Sequence, residues 1–516
     1  MTKTTILFLK SLSPILYSTE NFALKIRDDP KYDNNPLINK KAIDEAFKQY
    51  EDQLNPSNRT YIGNIRDYNI NVEGYFLAAH LPEIPSIVIN RTCTVELLHE
   101  LLEKYDDITH IALTVYAMGM ENSLEVIKTI KKDYTHIELL VGGVGTLYPH
   151  IQELIPQKDL CVGEGVNWLR KRFNLPQLSR NDFIIPEIIK NLIGFPIPIK
   201  AAYMITQLGC PNSCDFCITH IFYKYCPFSN PNKIIHFIDN LYNNTSKDIF
   251  IYICDPNAFY PEGTWRKVFD YFINNHKKYE RNIFILCLAS LHHLSKFNLK
   301  KIQDSPLKLL FVNFGIESDI YSYSKNIGNP KGMVKLLNEL NIITYHTFII
   351  GFPFHTPDGI KREVSLNLKY DSDRFFLNSY KPIPNTILYN QLKAEERLLI
   401  KDLPPEFIFT YEYMPFRHRY LGFGFDILKY CFYTYCETEK KEIDNTGKYT
   451  EKILNLFEHT NSNKLKRIAS AFMNVSNANF LTFKERMPED LIEKYQYQTN
   501  LNIEKFKKLK IKKKYY

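Results

Sequence analysis

The stretch Ala201-Ala-Tyr-Met-Ile205-Thr-Gln-Leu-Gly-Cys210-Pro-Asn-Ser-Cys214-Asp-Phe-Cys217 decides how this chain is read. Its first five residues are apolar and free of turn formers, which predicts a β-strand over Ala201–Ile205. Three of the ten cysteines of the chain then fall within eight residues, and the others do not make a disulfide framework, so the group points to metal binding. Three thiolates at this spacing can each take one iron of a cubane cluster, which leaves the fourth iron without a protein ligand. The alternative is a structural zinc ion with His220 or Cys226 as its fourth ligand.

Downstream, apolar runs predict further strands at Ile249–Ile253, Ile283–Leu288, Leu309–Phe314, Thr344–Ile350 and Phe375–Tyr380. Helical patterns fill the gaps at Asn232–Tyr242, Trp265–Asn275, Gly332–Leu340 and Gly359–Tyr370. Six consecutive βα units over residues 196–395 predict a partial (β/α)6 barrel rather than the full eight. Chemistry in such folds sits at the C-terminal ends of the strands. The cysteines follow the first strand, which puts them at that rim and favours the cluster over zinc.

Residues 1–185 show the same alternation. Met1–Lys10 holds an apolar core too short for a signal peptide and reads as a first strand. Ile111–Val115, Ile137–Val141 and Leu160–Val162 are strands, and Asn122–Lys132 is a helix. The expected class is therefore α/β, with a Rossmann-like domain over 1–185, the partial barrel over 196–395, and a mainly helical segment with a basic tail over 400–516. Two strand ends carry glycine turns, Gly142-Gly143-Val-Gly145-Thr146 and Gly163-Glu-Gly165. Glycine there lets a large cofactor approach the backbone, and ordinary tight βα turns are the alternative.

With 516 residues the chain is too long for one core, and 45% hydrophobic with 24% charged residues is ordinary for a soluble globular protein. No apolar run reaches transmembrane length, and a cytoplasmic location is expected. Much of the net charge of +8 lies in Lys505–Lys514, read chiefly as a solvated terminus. Peripheral membrane contact through this tail is the alternative kept, and nucleic acid is not an expected partner.

Cys-x3-Cys-x2-Cys with Phe216 before the last cysteine resembles the radical S-adenosylmethionine superfamily, and further strings match its order across residues 200–395. Cys254-Asp255-Pro-Asn257-Ala-Phe259 follows the second strand, and Phe314-Gly-Ile-Glu317-Ser318 resembles a segment that lies beside S-adenosylmethionine in relatives. Ile350-Gly-Phe-Pro353 and Lys381-Pro-Ile-Pro384-Asn385-Thr386-Ile-Leu-Tyr389 follow in family order. The resemblance implies a 4Fe-4S cluster on Cys210, Cys214 and Cys217, with Phe216, Asp255, Glu317 and Ser318 around S-adenosylmethionine. Asn385 stands where relatives have glycine, and Cys287-Leu-Ala-Ser290 lacks an arginine common in them.

The glycine turns resemble those of the cobalamin-binding domain upstream of the barrel in one large subfamily. This implies cobalamin near Gly142, Gly143, Gly145, Thr146, Gly163 and Gly165. The first turn is one residue shorter than in relatives, Val166 replaces a glutamate, and no Asp-x-His-x-x-Gly string offers an axial histidine.

The resemblance implies reductive cleavage of S-adenosylmethionine to a 5′-deoxyadenosyl radical, and in this subfamily methylation of an unactivated carbon. Cyclisation, rearrangement or oxidation on the same scaffold is the first alternative, and a non-catalytic metal-binding interaction protein the last. Methylthio transfer to RNA would need a cysteine triad upstream, and Cys93 and Cys161 are far apart. The expected partners are a small-molecule or peptide substrate and an electron donor such as flavodoxin or ferredoxin.

Overall fold

The computed structural model describes residues 4–11, 23, 26–50, 70–191, 200–246, 248–318, 328–408 and 413–458. The basic tail lies outside them.

The first sheet contains β1 (Ile6–Ser11), β2 (Ser86–Thr92), β3 (His110–Val115), β4 (Glu138–Gly142) and β5 (Leu160–Cys161). All pairs are parallel, in the order β2-β1-β3-β4-β5. That order reverses direction between β1 and β3, and the crevice beyond such a switch point is where open α/β sheets take their ligands. The sequence expectation had no strand at β2. Its residues are only half-buried for most of its length, as befits a sheet edge.

The second sheet contains β6 (Ile188–Asn191), β7 (Lys200–Met204), β10 (Ile249–Ile253), β11 (Ile283–Leu288), β12 (Leu307–Glu317), β13 (Ile343–Ile350) and β14 (Arg374–Ser379). Between β7 and β10 lie two short strands, β8 (Gln207–Leu208) and β9 (Cys226–Pro227). The order β14-β13-β12-β11-β10-β7-β6 adds each of the six expected strands beside its predecessor, all parallel. The unexpected β6 pairs antiparallel with β7 and forms one edge. β14 forms the other edge, so the sheet is open.

Right-handed crossovers between strands added in order bring the helices to one face. There Trp265, Phe269 and Phe272 from the helix Glu262–Asn274 join Ile234 and Ile238 from Pro231–Asn243 and Val334 and Leu337 from Pro330–Glu339. Each such side chain, fully buried, contributes about 1.5–3 kcal/mol. The opposite face carries Tyr203, Phe250, Phe284, Leu286 and Leu310. Ile70 from the first domain and Tyr449 from the helix Leu428–Glu458 pack against them. That helix is latched by buried Lys452, whose ammonium donates to Asp373 at 2.5 Å, Asn338 at 2.7 Å and the carbonyl of Ile342 at 2.7 Å. Asp373 also accepts from the amide of Thr344 at 2.8 Å, which places the latch at the N-terminal ends of β13 and β14.

Residues Tyr32, Ile38, Ile43 and Ala46 pack with Phe407, Tyr413, Phe425 and Phe432 rather than with the first sheet. The aromatic stretch 407–418 is thus core where it is described: Phe407, Tyr413 and Phe416 are wholly buried. A hairpin, β15 (Met414–His418) with β16 (Gly422–Gly424), precedes the helix Leu428–Glu458 in the segment expected to be mainly helical.

Candidate active site

β7 ends at Met204, and the chain at once enters a loop pinned at its base by the antiparallel pair β8–β9. The amides of Phe228 and Ser229 donate to the carbonyl of Thr206 at 3.3 and 3.2 Å, closing the base further. Cys210, Cys214 and Cys217 lie on this loop, Cys214 buried and the others half-buried. The Cys217 amide donates to the Cys214 carbonyl at 3.0 Å, so the last two form a tight turn. Gly209 has φ of 72°, and a Cβ there would lie 2.5 Å from the carbonyl oxygen of Tyr223, so only glycine fits the crossing of the two limbs. From outside, the Leu388 amide donates to the Asp215 carbonyl at 3.2 Å, which ties the Pro384 run to the loop. The Phe216 ring meets Phe352, of the turn after β13, edge-on at 5.4 Å.

None of the ten cysteines forms a disulfide. Among the described residues no three His, Cys, Asp or Glu side chains are gathered as a single metal ion requires, and this holds for Cys210, Cys214 and Cys217 as it does for His220 and Cys226. Cys226 instead accepts from the Arg180 guanidinium at 3.4 Å.

Asp255 follows β10 and is wholly enclosed. It accepts hydrogen bonds from the amides of Thr206 at 2.8 Å and Gln207 at 3.3 Å, and from the Thr206 hydroxyl. Both carboxylate oxygens therefore hold the start of the cysteine loop. Burial pushes this carboxyl up to about 7, against the downward pull of those hydrogen bonds. Gln207 donates to the Asn257 carbonyl at 2.7 Å, and Asn257 accepts from the Ser290 amide at 2.8 Å, so the network runs on to the end of β11.

Glu317 is the last residue of β12, beside a register shift against β13 between Gly315 and Glu317. Its φ of 68° is a left-handed conformation that a side chain adopts only under constraint, and such strain gathers at functional rims. Ser318 is buried, and its hydroxyl donates to Glu363 at 2.8 Å, so it anchors the strand end to the helix Pro357–Asn367. Asn385 has φ of 72°, a left-handed geometry that asparagine also accepts.

The glycine turns of the first domain have internal partners. A Cβ on Gly143, at φ of 92°, would lie 2.5 Å from the Val115 carbonyl oxygen, and one on Gly145 would lie 2.9 Å from a Val115 methyl. These glycines seat the end of β4 on the end of β3. Thr146 is buried with its hydroxyl on the Gly143 carbonyl at 2.7 Å, and Gly142 ends β4 in ordinary contact with Cys161. Gly163, at φ of 110°, faces the Phe222 carbonyl, and a Cβ on Gly165 would lie 3.0 Å from Leu77. Glu164 caps the following helix through the Val166 and Asn167 amides.

The two domains meet here. Ile218 and Phe222, just past the cysteines, belong to the core of the first domain. A cavity of about 260 Å³ lies between the Glu164 turn and the returning limb of the loop, with Asn167, Tyr223 and Tyr225 among its walls. Lys10, Glu73 and Tyr116 form a further polar group at the C-terminal ends of β1 and β3. The sequence signal was a charged residue closing the apolar run of β1 and a tyrosine directly after β3. Their meeting depends on strand order, which the sequence does not display.

No family model matches the chain. Over 219 residues it is 23% identical to the anaerobic magnesium-protoporphyrin IX monomethyl ester cyclase of Cereibacter sphaeroides, covering 40% of this chain and 34% of that enzyme. The chain thus spans about a third of the length of the curated relative it matches. Among solved structures it is similar to the radical S-adenosylmethionine methyltransferase TsrM of Kitasatospora setae with cobalamin and a 4Fe-4S cluster bound. The TM-score is 0.49 and the identity 11%, over 76% of this chain and 75% of that one. It is also similar to the cobalamin-dependent S-adenosylmethionine radical enzyme OxsB with aqua-cobalamin and S-adenosylmethionine bound. There the TM-score is 0.45 and the identity 13%, over 98% of this chain and 75% of that one.

Proposed function

We propose that this protein is a radical S-adenosylmethionine enzyme that works with cobalamin and methylates an unactivated carbon. The observation that carries it is the cysteine loop: three thiols on one pinned loop, at the C-terminal end of the first strand of a sheet wound in order. The donor set fits a cluster with one open iron. On the first domain, the switch point between β1 and β3 and the orphaned Glu73 oxygen beside it fit a large cofactor.

When bound, the cluster supplies the electron that cleaves S-adenosylmethionine to a 5′-deoxyadenosyl radical, and cobalamin supplies the methyl group. Cys210, Cys214 and Cys217 would hold three irons, and Asp255 fixes the loop that would present them. Glu317 at the strained end of β12 accepts hydrogen bonds from the ribose or ammonium of S-adenosylmethionine. Phe216, against Phe352, keeps water from the loop on the β13 side. A flavodoxin or ferredoxin delivers the electron. The match to a cyclase favours ring formation as a second reading, on the same radical start.

Anaerobic reconstitution with iron, sulfide and hydroxocobalamin tests the proposal. The expected result is dithionite-dependent 5′-deoxyadenosine, lost in Cys210→Ala, Cys214→Ala and Cys217→Ala. A colourless protein that retains zinc and cleaves no S-adenosylmethionine would falsify it. Substrate turnover without methyl transfer selects the second reading.

A further inference from the structure

The polar group at the switch point is arranged around one empty acceptor. Lys10 is the next-to-last residue of β1, opposite Thr114 in β3, and its side chain is buried. The ammonium donates to the Ile70 carbonyl at 2.6 Å and lies 6.0 Å from the centre of the Tyr116 ring. Tyr116 directly follows β3, and its hydroxyl donates to Oε1 of Glu73, on the helix Val72–Ala79. The other oxygen, Oε2, is buried and has no hydrogen-bond partner. Burial, with the Glu73 charge second, holds the Tyr116 hydroxyl well above its usual range, so it stays a donor. The charge of Glu73 also reaches Tyr223, beyond the cysteines, and Cys254, at the end of β10. The group therefore sits in the seam between the ends of both sheets.

A buried carboxylate oxygen without a donor is costly, and a ligand N–H relieves it. Burial lowers the Lys10 ammonium and the Glu73 charge raises it, so a cation already stands near the carboxylate and a neutral donor suits Oε2 better than a second cation. The place, outside β1 and β3, belongs to the cofactor of such a sheet. Resting on the cobalamin reading above, we infer that Glu73 accepts a hydrogen bond from a carboxamide N–H on the corrin rim. Tyr116 holds the carboxylate in position, and Lys10 balances its charge.

The test is equilibrium binding of corrinoids to the cluster-reconstituted chain, followed by corrin absorbance. Hydroxocobalamin is compared with the cobalamin monocarboxylic acids, each with one rim carboxamide hydrolysed. At least one isomer should bind the wild type tenfold or more weakly than hydroxocobalamin, because its carboxylate meets that of Glu73. Glu73→Leu should weaken hydroxocobalamin binding at least tenfold. Glu73→Gln, whose amide can turn its oxygen to the ligand, should restore most of it. Cluster absorbance checks that each variant is folded, and the isomer series on the wild type needs no variant. Equal binding of all isomers, or Glu73→Leu binding like the wild type, overturns the inference and leaves the cobalamin reading intact. A wild type that takes up iron but no corrinoid overturns both.

Discussion

Asp255→Asn removes the charge that burial opposes while keeping the shape that holds the cysteine loop. The amide oxygen can still accept from the Thr206 and Gln207 amides, and its nitrogen can donate to the Thr206 hydroxyl oxygen. The wild-type carboxyl is pushed up to about 7 by burial, from the ordinary value of 3.8. Between those values the folded chain keeps a proton that the unfolded chain releases. The resulting stability is fully present below pH 3.8 and is lost as pH rises through about 7. The full span is on the order of 4 kcal/mol, at about 1.4 kcal/mol per unit. From pH 5.5 to 8 the share is about 2 kcal/mol, or roughly 4–8 °C for an unfolding unit of about 200 residues. The assay is thermal unfolding of both proteins, without cofactors, at those two pH values. The melting temperature of Asp255→Asn relative to wild type should rise by that amount at the higher pH. A difference that stays constant, or moves the other way, refutes the account of Asp255 as a strained anchor.

Gly143→Ala forces a Cβ to 2.5 Å from the Val115 carbonyl oxygen at φ of 92°. It should lower stability by about 2 kcal/mol or more, read as a lower melting temperature of the first domain. Lys452→Ala leaves Asp373 buried without its cation and should destabilise by about 3–5 kcal/mol, measured by thermal unfolding. Glu317→Gly removes a strained side chain at φ of 68°, so it should stabilise by about 1 kcal/mol while weakening S-adenosylmethionine binding, measured by equilibrium dialysis.

The strands of the second sheet were legible because each is a compact apolar run. Ile249–Ile253 and Ile283–Leu288 agree with the structure end to end. β12 was read short because the bulge near Gly315 lets the strand run on through a segment with no strand-like pattern. β2 and β6 were missed because edge strands are short or half-exposed and carry little periodicity. The cysteine triad stands out in the sequence because its three thiols are local, within eight residues. The site was not legible where a side chain acts across the fold. Nothing near Asp255 in the chain indicates that Thr206, 49 residues earlier, takes its oxygens. Likewise, nothing near Ser318 in the chain indicates that its hydroxyl donates to Glu363, 45 residues later. Gly143 and Gly145 read as room for a ligand, and their close approach to Val115 depends on the pairing of β3 with β4, which the sequence does not display.

One of the residues that dry the second sheet's face opposite its helices arrives late. Tyr449 joins Phe250, Phe284 and Leu310, yet it lies far beyond Ser379, where the last of the six parallel strands ends. During synthesis the ribosome delivers the whole sheet before Tyr449, and the nascent chain holds an aromatic surface covered only from the Ile70 side in the meantime. Such a surface is what chaperones retain and what aggregates form from. The helix Leu428–Glu458 therefore sets the moment at which this face is closed, and a chain broken off before Tyr449 should emerge insoluble with all seven strands of the second sheet already made.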